Sequence, residues 1–221
     1  MATGPHANAE IYEAGAPLRS ASGVLLLLHG RGASAADILG LGEEIAPAGV
    51  ALVAPQASGH TWYPNSFLAP IAQNEPWLSS ALELVESIVQ RSLDAGIASN
   101  RIAICGFSQG ACLSTEFVAR HPRRYAALIA FTGGLIGPLG IDLHHAGSGQ
   151  NVLEGTPALF SSGDPDPHVP WVRVEDSASQ LEAMGAKVEL RRYPLRPHSV
   201  LREEAENARV LLAKAFSASG S

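Results

Sequence analysis

A serine framed by glycines is the strongest chemical signal in the chain. Residues 106–110 read Gly-Phe-Ser-Gln-Gly; they follow the strand-like run 101–105 and open the helix-like run 111–118. In such a strand–turn–helix setting, a tight turn exposes the serine hydroxyl above a sheet, and the glycines let strand and helix approach closely. This context predicts that Ser108 is a nucleophile that forms a covalent intermediate.

A second glycine-rich turn, His-Gly-Arg-Gly at residues 29–32, directly follows the apolar run 24–28. Attack on an acyl group needs backbone N–H groups directed at the developing oxyanion. Such a turn supplies one, and the residue after the nucleophile supplies another. We therefore predict that the N–H groups of Arg31 and Gln109 form an oxyanion hole and that His29 stabilises the turn. A phosphate-binding loop fits less well, because the Walker lysine and the dinucleotide glycine spacing are absent.

A general base and its carboxylate partner are expected on two later loops. His198 lies between the strand-like run 188–193 and the last helical pattern, and an imidazole pKa of about 6.5 suits proton transfer at neutral pH. Asp164 and Asp166, in the turn 161–170, compete to orient this base. From the residues alone both remain candidates, and the other aspartate would serve only the Pro-rich turn.

Short apolar runs alternate with helical patterns along the chain. The predicted strands are continuous apolar runs except the last, which alternates and is expected nearer a sheet edge: 24–28, 50–54, 102–105, 126–131, 158–161 and 188–193. The predicted helices cover 78–89, 108–120, 171–184 and 202–216. This alternation predicts one α/β domain over residues 1–221, a mostly parallel, doubly wound sheet flanked by helices, with flexible ends at 1–8 and 217–221.

Two stretches fit neither pattern, and long loops in compact domains are often functional. Residues 133–156 are rich in Gly and His, whereas residues 58–76 concentrate aromatic side chains. Trp62, Tyr63 and Phe67 from the aromatic loop, with Trp77 after it, are candidates for an apolar wall or partial lid of a substrate pocket. The alternative, which the residues leave open, is that they fill a satellite core beneath the loop.

Composition excludes several classes of protein. The 221 residues are 46% apolar and carry a net charge of −6 without the basic cluster that nucleic-acid binding requires. No apolar stretch approaches the roughly 20 residues of a membrane helix. The N-terminus lacks a basic segment followed by an apolar one, so we predict no secretory signal and expect a cytoplasmic location.

Few residues could bind a metal. The two cysteines, Cys105 and Cys112, lack metal-site spacing and are expected to be buried, unpaired thiols. His144 and His145 do not make a metal site by themselves, and we predict neither a metal nor a cofactor.

Together the motifs resemble the phospholipase/carboxylesterase family of α/β-hydrolases, relatives of the acyl-protein thioesterases. The resemblance covers residues 24 to 206 and rests on the turn 29–32, the motif 106–110, Asp-Pro-His-Val-Pro at 166–170, and His198. The order Ser–Asp–His is also that of α/β-hydrolases. In this family the aspartate before Pro-x-Val-Pro belongs to the triad, which favours Asp166 over Asp164. One departure is that residues 194–198 read Pro-Leu-Arg-Pro-His, where relatives often have Gly-Met-Gly-His. This stiffer turn is expected to reshape the pocket rim.

The resemblance implies a serine carboxylesterase with the triad Ser108, Asp166 and His198. It would act without metal or cofactor on small-molecule esters of short- to medium-chain acids. Acyl-(protein) thioesterase and lysophospholipase-type activities are the alternatives, and only the pocket distinguishes them. A non-catalytic small-molecule binding protein of the same fold is disfavoured by the intact triad. We expect a monomer or homodimer without nucleic-acid partners or a membrane span.

Overall fold

The computed structural model describes residues 4–140 and 151–217. In these residues seven strands form one sheet: β1 (Ile11–Gly15), β2 (Gly23–Leu28), β3 (Val50–Pro55), β4 (Ile102–Phe107), β5 (Ala127–Phe131), β6 (Pro157–Asp164) and β7 (Lys187–Pro194). The α-helices of the described residues are α1 (Ala35–Ile45), α2 (Trp77–Asp94), α3 (Gln109–Arg120), α4 (Trp171–Ala183) and α5 (Arg202–Ser217).

The strand order is β1-β3-β2-β4-β5-β6-β7, and every neighbouring pair is parallel except β1 with β3. The predicted mostly parallel sheet is therefore confirmed, as is the edge position of β7. Strand β1 was not predicted, because its five residues are mostly exposed and contain no continuous apolar run. It pairs antiparallel with β3 and forms the opposite edge of the sheet.

Helices cover both faces of the sheet, which explains why the central strands are apolar throughout. Val24, Leu26 and Leu28 point into a core shared with α2, α3 and α4. Leu25 and Leu27, at the alternate positions of the same strand, point into a second core shared with α1 and α5. Because successive side chains of a strand face opposite sides, two covered faces require an unbroken apolar run.

Helix α1 is an addition to the predicted helices. Its N-terminus is a capping box: the Asp37 N–H donates to Ser34 Oγ at 3.3 Å, and the Asp37 carboxylate accepts the Ser34 N–H at 2.8 Å. Within the helix, a Cβ on Gly42 would lie 2.4 Å from Leu27 Cδ1. The glycine therefore allows α1 to lie close against β2.

The described part of the segment 1–8, which was expected to be flexible, is anchored to the rest of the fold by His6. His6 is fully buried; its Nδ1 accepts the N–H of Ser58 at 3.2 Å, and its Nε2 lies 3.0 Å from the Trp62 carbonyl oxygen. At the other end, Ser217 is the last residue of α5. Residues 1–3, 141–150 and 218–221 lie outside the described residues, and so does the His144–His145 pair.

Within 4–140 and 151–217, no helix combines the length and apolar character needed to cross a bilayer.

Candidate active site

Ser108 lies at a strained turn between β4 and α3. Its backbone has φ 54° and ψ −117°, and its N–H donates to the Phe131 carbonyl oxygen at 2.9 Å. The close packing depends on glycine, because a Cβ on Gly110 would lie 2.0 Å from the Leu28 carbonyl oxygen. A Cβ on Gly106 would lie 2.3 Å from the backbone of Gly110. The predicted strand–turn–helix context is present, and strain at such a turn is typical of an exposed nucleophile.

His198 bridges Ser108 and Asp166. Its Nε2 lies 2.9 Å from Ser108 Oγ, and its Nδ1 lies 2.8 Å from Asp166 Oδ2. The imidazole is 21% exposed, whereas the Asp166 side chain is fully buried. The loops after β4, β6 and β7 therefore bring the three side chains together at the carboxyl end of the sheet.

Asp166 is held as a carboxylate by its surroundings. Its Oδ1 accepts the backbone N–H groups of His168 at 2.9 Å and of Val169 at 3.0 Å. Burial by itself would raise the pKa of Asp166, but the hydrogen bonds from His198 and from these two N–H groups outweigh it, so the pKa lies below its ordinary value. Asp164, the competing candidate, instead pairs with the half-exposed Arg192. Geometry thus separates two aspartates that the sequence alone did not.

The turn after β2 lies against the nucleophile. A Cβ on Gly30 would lie 3.5 Å from Ser108 Cβ. Gln109 is the first residue of α3, where an N–H has no acceptor within the helix. Among the described residues, no protein acceptor is assigned to the N–H of Arg31 or of Gln109. Neither N–H group is therefore engaged by another described residue, as the predicted oxyanion role requires.

His29 stabilises this turn, in agreement with its interpretation from the sequence. Its Nε2 accepts the N–H of Ala57 at 3.1 Å, so Nδ1 carries the proton and donates to the Gly30 carbonyl oxygen at 2.7 Å. Burial lowers the pKa of His29, which favours this neutral tautomer.

The side chains of Arg31 and Gln109 have a second use that was not predicted. The Arg31 guanidinium donates to the carbonyl oxygens of Tyr63 at 3.0 Å, Pro64 at 2.9 Å and Asn65 at 2.8 Å. Gln109 Nε2 donates to the Tyr63 carbonyl oxygen at 2.8 Å. Both residues that are predicted to supply oxyanion donors thus also fix the aromatic loop beside the site.

A cavity of about 410 Å³ opens beside the serine. Of the four aromatic pocket candidates, Tyr63 and Phe67 line it. Apolar and polar groups contribute to the wall, and the lining residues are Arg31, Tyr63, Pro64, Asn65, Ser66, Phe67, Ser108, Gln109, Cys112, His168, Val169 and His198. The mixed wall is typical of a small-molecule site in which a few polar groups orient the ligand.

Trp62 and Trp77, also expected at the pocket wall, are not among the described residues that line this cavity. Trp62 is fully buried in the core, and its indole N–H donates to the His29 carbonyl oxygen at 2.8 Å. Trp77 begins α2 and packs against the same core, with its ring edge-on to His6. The two interpretations of the loop therefore apply to different residues: Tyr63 and Phe67 line the cavity, while the tryptophans fill a core.

Sequence reasoning missed three residues around His198. The Phe107 and His168 rings lie 5.1 Å and 4.9 Å from the imidazole, centre to centre. Arg196, two residues before His198, has a buried side chain beneath the loop. Each of the three lies within two residues of a predicted site residue, and that proximity in sequence was the available signal.

Cys105 and Cys112 are buried and unpaired, as expected. Burial raises the pKa of Cys112 to about 12, and burial also raises that of Cys105. Over the described ranges, no group of three or more His, Cys, Asp or Glu side chains is placed to hold a metal ion.

The sequence model of the phospholipase/carboxylesterase family matches residues 7–215. A curated relative, acyl-protein thioesterase 1 from Gibberella zeae, is 27% identical over 58% of this chain and 54% of its own length. A probable carboxylesterase from Oryza sativa subsp. japonica is 29% identical over 60% of this chain and 48% of its own length. The matched part of this chain thus spans about half the length of these relatives.

A solved structure extends the likeness to nearly the whole chain. The phospholipase/carboxylesterase from Dyadobacter fermentans is 41% identical, with a TM-score of 0.89 over 96% of this chain and 100% of that one. Sequence family and fold agree with the resemblance carried by the motifs. The chain belongs to the phospholipase/carboxylesterase family of α/β-hydrolases.

Proposed function

We propose that the protein is a serine carboxylesterase that hydrolyses small carboxylic esters through an acyl-serine intermediate. The observation that carries this proposal is the double contact of His198, 2.9 Å from Ser108 Oγ and 2.8 Å from Asp166 Oδ2. A serine becomes a good nucleophile when an adjacent base accepts its proton and a third group orients that base.

The proposed reaction uses these contacts in order. With Asp166 ionised, Nδ1–H of His198 donates to the carboxylate, so the unprotonated Nε2 accepts the Ser108 hydroxyl proton as Oγ attacks the ester carbonyl. The N–H groups of Arg31 and Gln109 stabilise the oxyanion of the tetrahedral intermediate. The imidazolium then protonates the leaving alcohol, and the acyl group stays on Ser108. A water molecule deprotonated by His198 attacks the acyl-serine and releases the acid.

The cavity supports a small substrate. Ligand pockets range over roughly 300 to 1,000 Å³, and the 410 Å³ beside Ser108 lies toward the small end. Phe67 and Val169 offer apolar surface to an acyl chain, while Asn65 and Ser66 offer polar groups. We infer a preference for short- to medium-chain acyl groups over long lipid chains.

Thioester hydrolysis is the second candidate, favoured by the acyl-protein thioesterase among the relatives. The two activities share the same nucleophile and base, so a matched pair of substrates separates them. We expect purified protein to show higher kcat/KM for phenyl butyrate than for S-phenyl thiobutyrate, which differ only in the oxygen or sulfur of the scissile bond. Faster turnover of thioesters, or turnover limited to long acyl chains, would instead favour the thioesterase or lysophospholipase-type alternative.

A fluorophosphonate probe tests whether the site is catalytic at all. Covalent labelling of the wild type but not of Ser108→Ala would support the proposal, whereas an unlabelled wild type would favour a non-catalytic binding protein. A cytoplasmic location and a monomeric or dimeric state remain predictions from the sequence.

A further inference from the structure

A buried ion pair lies directly beneath the His198 loop. The side chains of Arg196 and Glu204 are 1% and 0% exposed, and Arg196 Nε lies 3.1 Å from Glu204 Oε2. A second guanidinium nitrogen of Arg196 donates to Glu204 Oε1 at 3.1 Å. Burying two charges has a large desolvation cost, and such a pair is often no more stabilising than apolar side chains of similar size. Stability alone therefore does not explain its presence beside the candidate base.

The Arg196 guanidinium donates hydrogen bonds to the backbone on both sides of His198. It donates to the carbonyl oxygen of Pro197 at 2.9 Å and to that of Ser199 at 2.5 Å. Among the described residues, the loop 195–201 has one further backbone hydrogen bond to β6: the N–H of Leu195 donates to the Asp164 carbonyl oxygen at 3.1 Å. The Leu195 side chain is 84% exposed and so does not fix the loop by packing. The planar guanidinium, with several donors in fixed directions, holds carbonyl oxygens in a defined geometry.

The same pair is tied to the end of β5, which contacts the turn of Ser108, and to β6, which leads to Asp166. Arg196 donates to Thr132 Oγ1 at 2.5 Å, and Thr132 follows Phe131, whose carbonyl oxygen accepts the Ser108 N–H. Glu204 accepts the hydroxyl of Ser161, on the strand that leads to Asp166, at 2.5 Å. The ion pair thus connects the ends of β5 and β6 to the loop of His198.

Glu204 also fixes the start of the last helix. Its Oε2 accepts the N–H of Leu201 at 2.9 Å, so the loop is held at both its centre and its end. Every oxygen of the carboxylate and the outer nitrogens of the guanidinium therefore have a partner within the described residues.

We propose that Arg196 and Glu204 are positioning residues for His198, which hold its imidazole within hydrogen-bond reach of Ser108 and Asp166. This inference rests on the proposed function. It assigns a use to Arg196, which stands two residues before His198 in the turn that departs from the family's Gly-Met-Gly-His. Misplacing a reacting group by about 1 Å can cost roughly 100-fold in rate, so the effect should appear in kcat.

The test must separate positioning from folding. Removing one partner leaves an unpaired buried charge, so we choose the double variant Arg196→Met/Glu204→Leu, which replaces the pair by apolar side chains. The matched control is Arg209→Met/Glu206→Leu. It makes the same changes in an exposed ion pair within α5, the helix that contains Glu204. Wild-type activity and probe labelling are measured first; an inactive wild type would contradict the proposed function and not this inference.

For the double variant we expect kcat to fall about 10- to 100-fold. KM should stay within about threefold of the wild type, and the downfield ¹H resonance of the His198 Nδ1–H should weaken. Tm should fall, because the Ser161 hydroxyl and the Leu201 N–H lose their acceptor, so the kinetics are measured well below the Tm of the variant. The control variant should match the wild type in kcat, KM, Tm and the ¹H resonance. Wild-type kcat and an unchanged resonance in the double variant would overturn the proposal, as would an equal loss in the control.

If the double variant does not fold, the single variant Arg196→Lys tests the positioning role instead. Lysine keeps the positive charge toward Glu204 but lacks the planar fork that spans the Pro197 and Ser199 carbonyl oxygens. A several-fold lower kcat at unchanged KM and Tm supports positioning, whereas wild-type kcat contradicts it.

Discussion

The side-chain carbonyl of Gln109 accepts the backbone N–H of Trp62 at 2.9 Å, while its amide group donates to the Tyr63 carbonyl oxygen at 2.8 Å. One buried glutamine, adjacent to Ser108, thus fixes the position of the loop that supplies Tyr63 and Phe67 to the cavity. The shape of the substrate pocket is therefore coupled to the turn that carries the nucleophile.

Replacing Gln109 by Met should weaken substrate binding more than chemistry, because the backbone N–H proposed for the oxyanion hole remains. The unpaired Trp62 N–H should cost about 1–3 kcal/mol of unfolding free energy if it stays dry. The Tyr63 carbonyl oxygen keeps the Arg31 guanidinium as a donor. Steady-state kinetics on an ester series should show a higher KM with kcat within about tenfold of the wild type. A kcat as low as that of Ser108→Ala would show that the side chain takes part in the chemistry.

Asp166→Asn should lower kcat by about 10⁴-fold with the fold intact, because an amide favours the wrong tautomer of His198. Asp164→Asn is the matched control, since it removes only a salt bridge to the half-exposed Arg192. Its kcat should remain within a few-fold of the wild type. If Asp164→Asn proved the more damaging change, the two aspartates would have to exchange roles.

Trp62→Ala should destabilise the protein without changing chain-length preference. The indole is fully buried and hydrogen-bonded to His29, and large-to-small changes of buried Trp cost about 3–5 kcal/mol. Thermal unfolding should show a Tm lower by roughly 6–20 °C. The increase of kcat/KM with acyl chain length across p-nitrophenyl esters should stay the same as in the wild type. A smaller increase would show that Trp62 contacts the acyl chain after all.

Phe67→Ala should change the chain-length preference more than the stability, because this ring lines the cavity. A buried methylene contributes about 0.8 kcal/mol, or roughly fourfold in kcat/KM per added carbon. We expect the variant to flatten that gain along the same ester series, with a smaller change in Tm than Trp62→Ala produces. An unchanged slope would indicate that the acyl chain binds elsewhere.

The native thiols should be inert near neutral pH. Burial raises the pKa of Cys112 to about 12, and only the thiolate is a good nucleophile. Native protein at pH 8 should react negligibly with a disulfide reagent and keep full esterase activity, whereas two thiols should titrate in denaturant. Rapid reaction of one thiol with loss of activity would place Cys112 in an accessible part of the cavity.

The parts of the fold that the sequence predicts are those in which local pattern and tertiary position agree. Strands β2, β3 and β4 are buried on both faces and are therefore continuous apolar runs. Helix α1 contains Gly40 and Gly42, each unfavourable to an isolated helix by about 1 kcal/mol, so its pattern is weak. Packing against β2 outweighs that preference, and the Ser34–Asp37 capping box was the local signal for this helix.

The proposed triad could be predicted from the sequence because each member stands in a local motif at the end of a strand. The separation of Asp166 from Asp164 needed either a family resemblance or coordinates, since the two lie in the same turn. The Arg196–Glu204 pair and the division between Trp62 and Phe67 depend on which side of a loop faces the core. The side of a loop that faces the core is determined by contacts between segments distant in sequence, and no local sequence pattern predicts it.

The central claim is that Ser108 is the nucleophile and is activated by His198. Intact-mass spectrometry and peptide mapping after a fluorophosphonate reaction test it most directly, on the wild type, Ser108→Ala and His198→Ala. The account predicts one adduct on Ser108 in the wild type, none in Ser108→Ala, and labelling slowed by at least about 10³-fold in His198→Ala. An adduct on another residue, or undiminished labelling of Ser108→Ala, would contradict it.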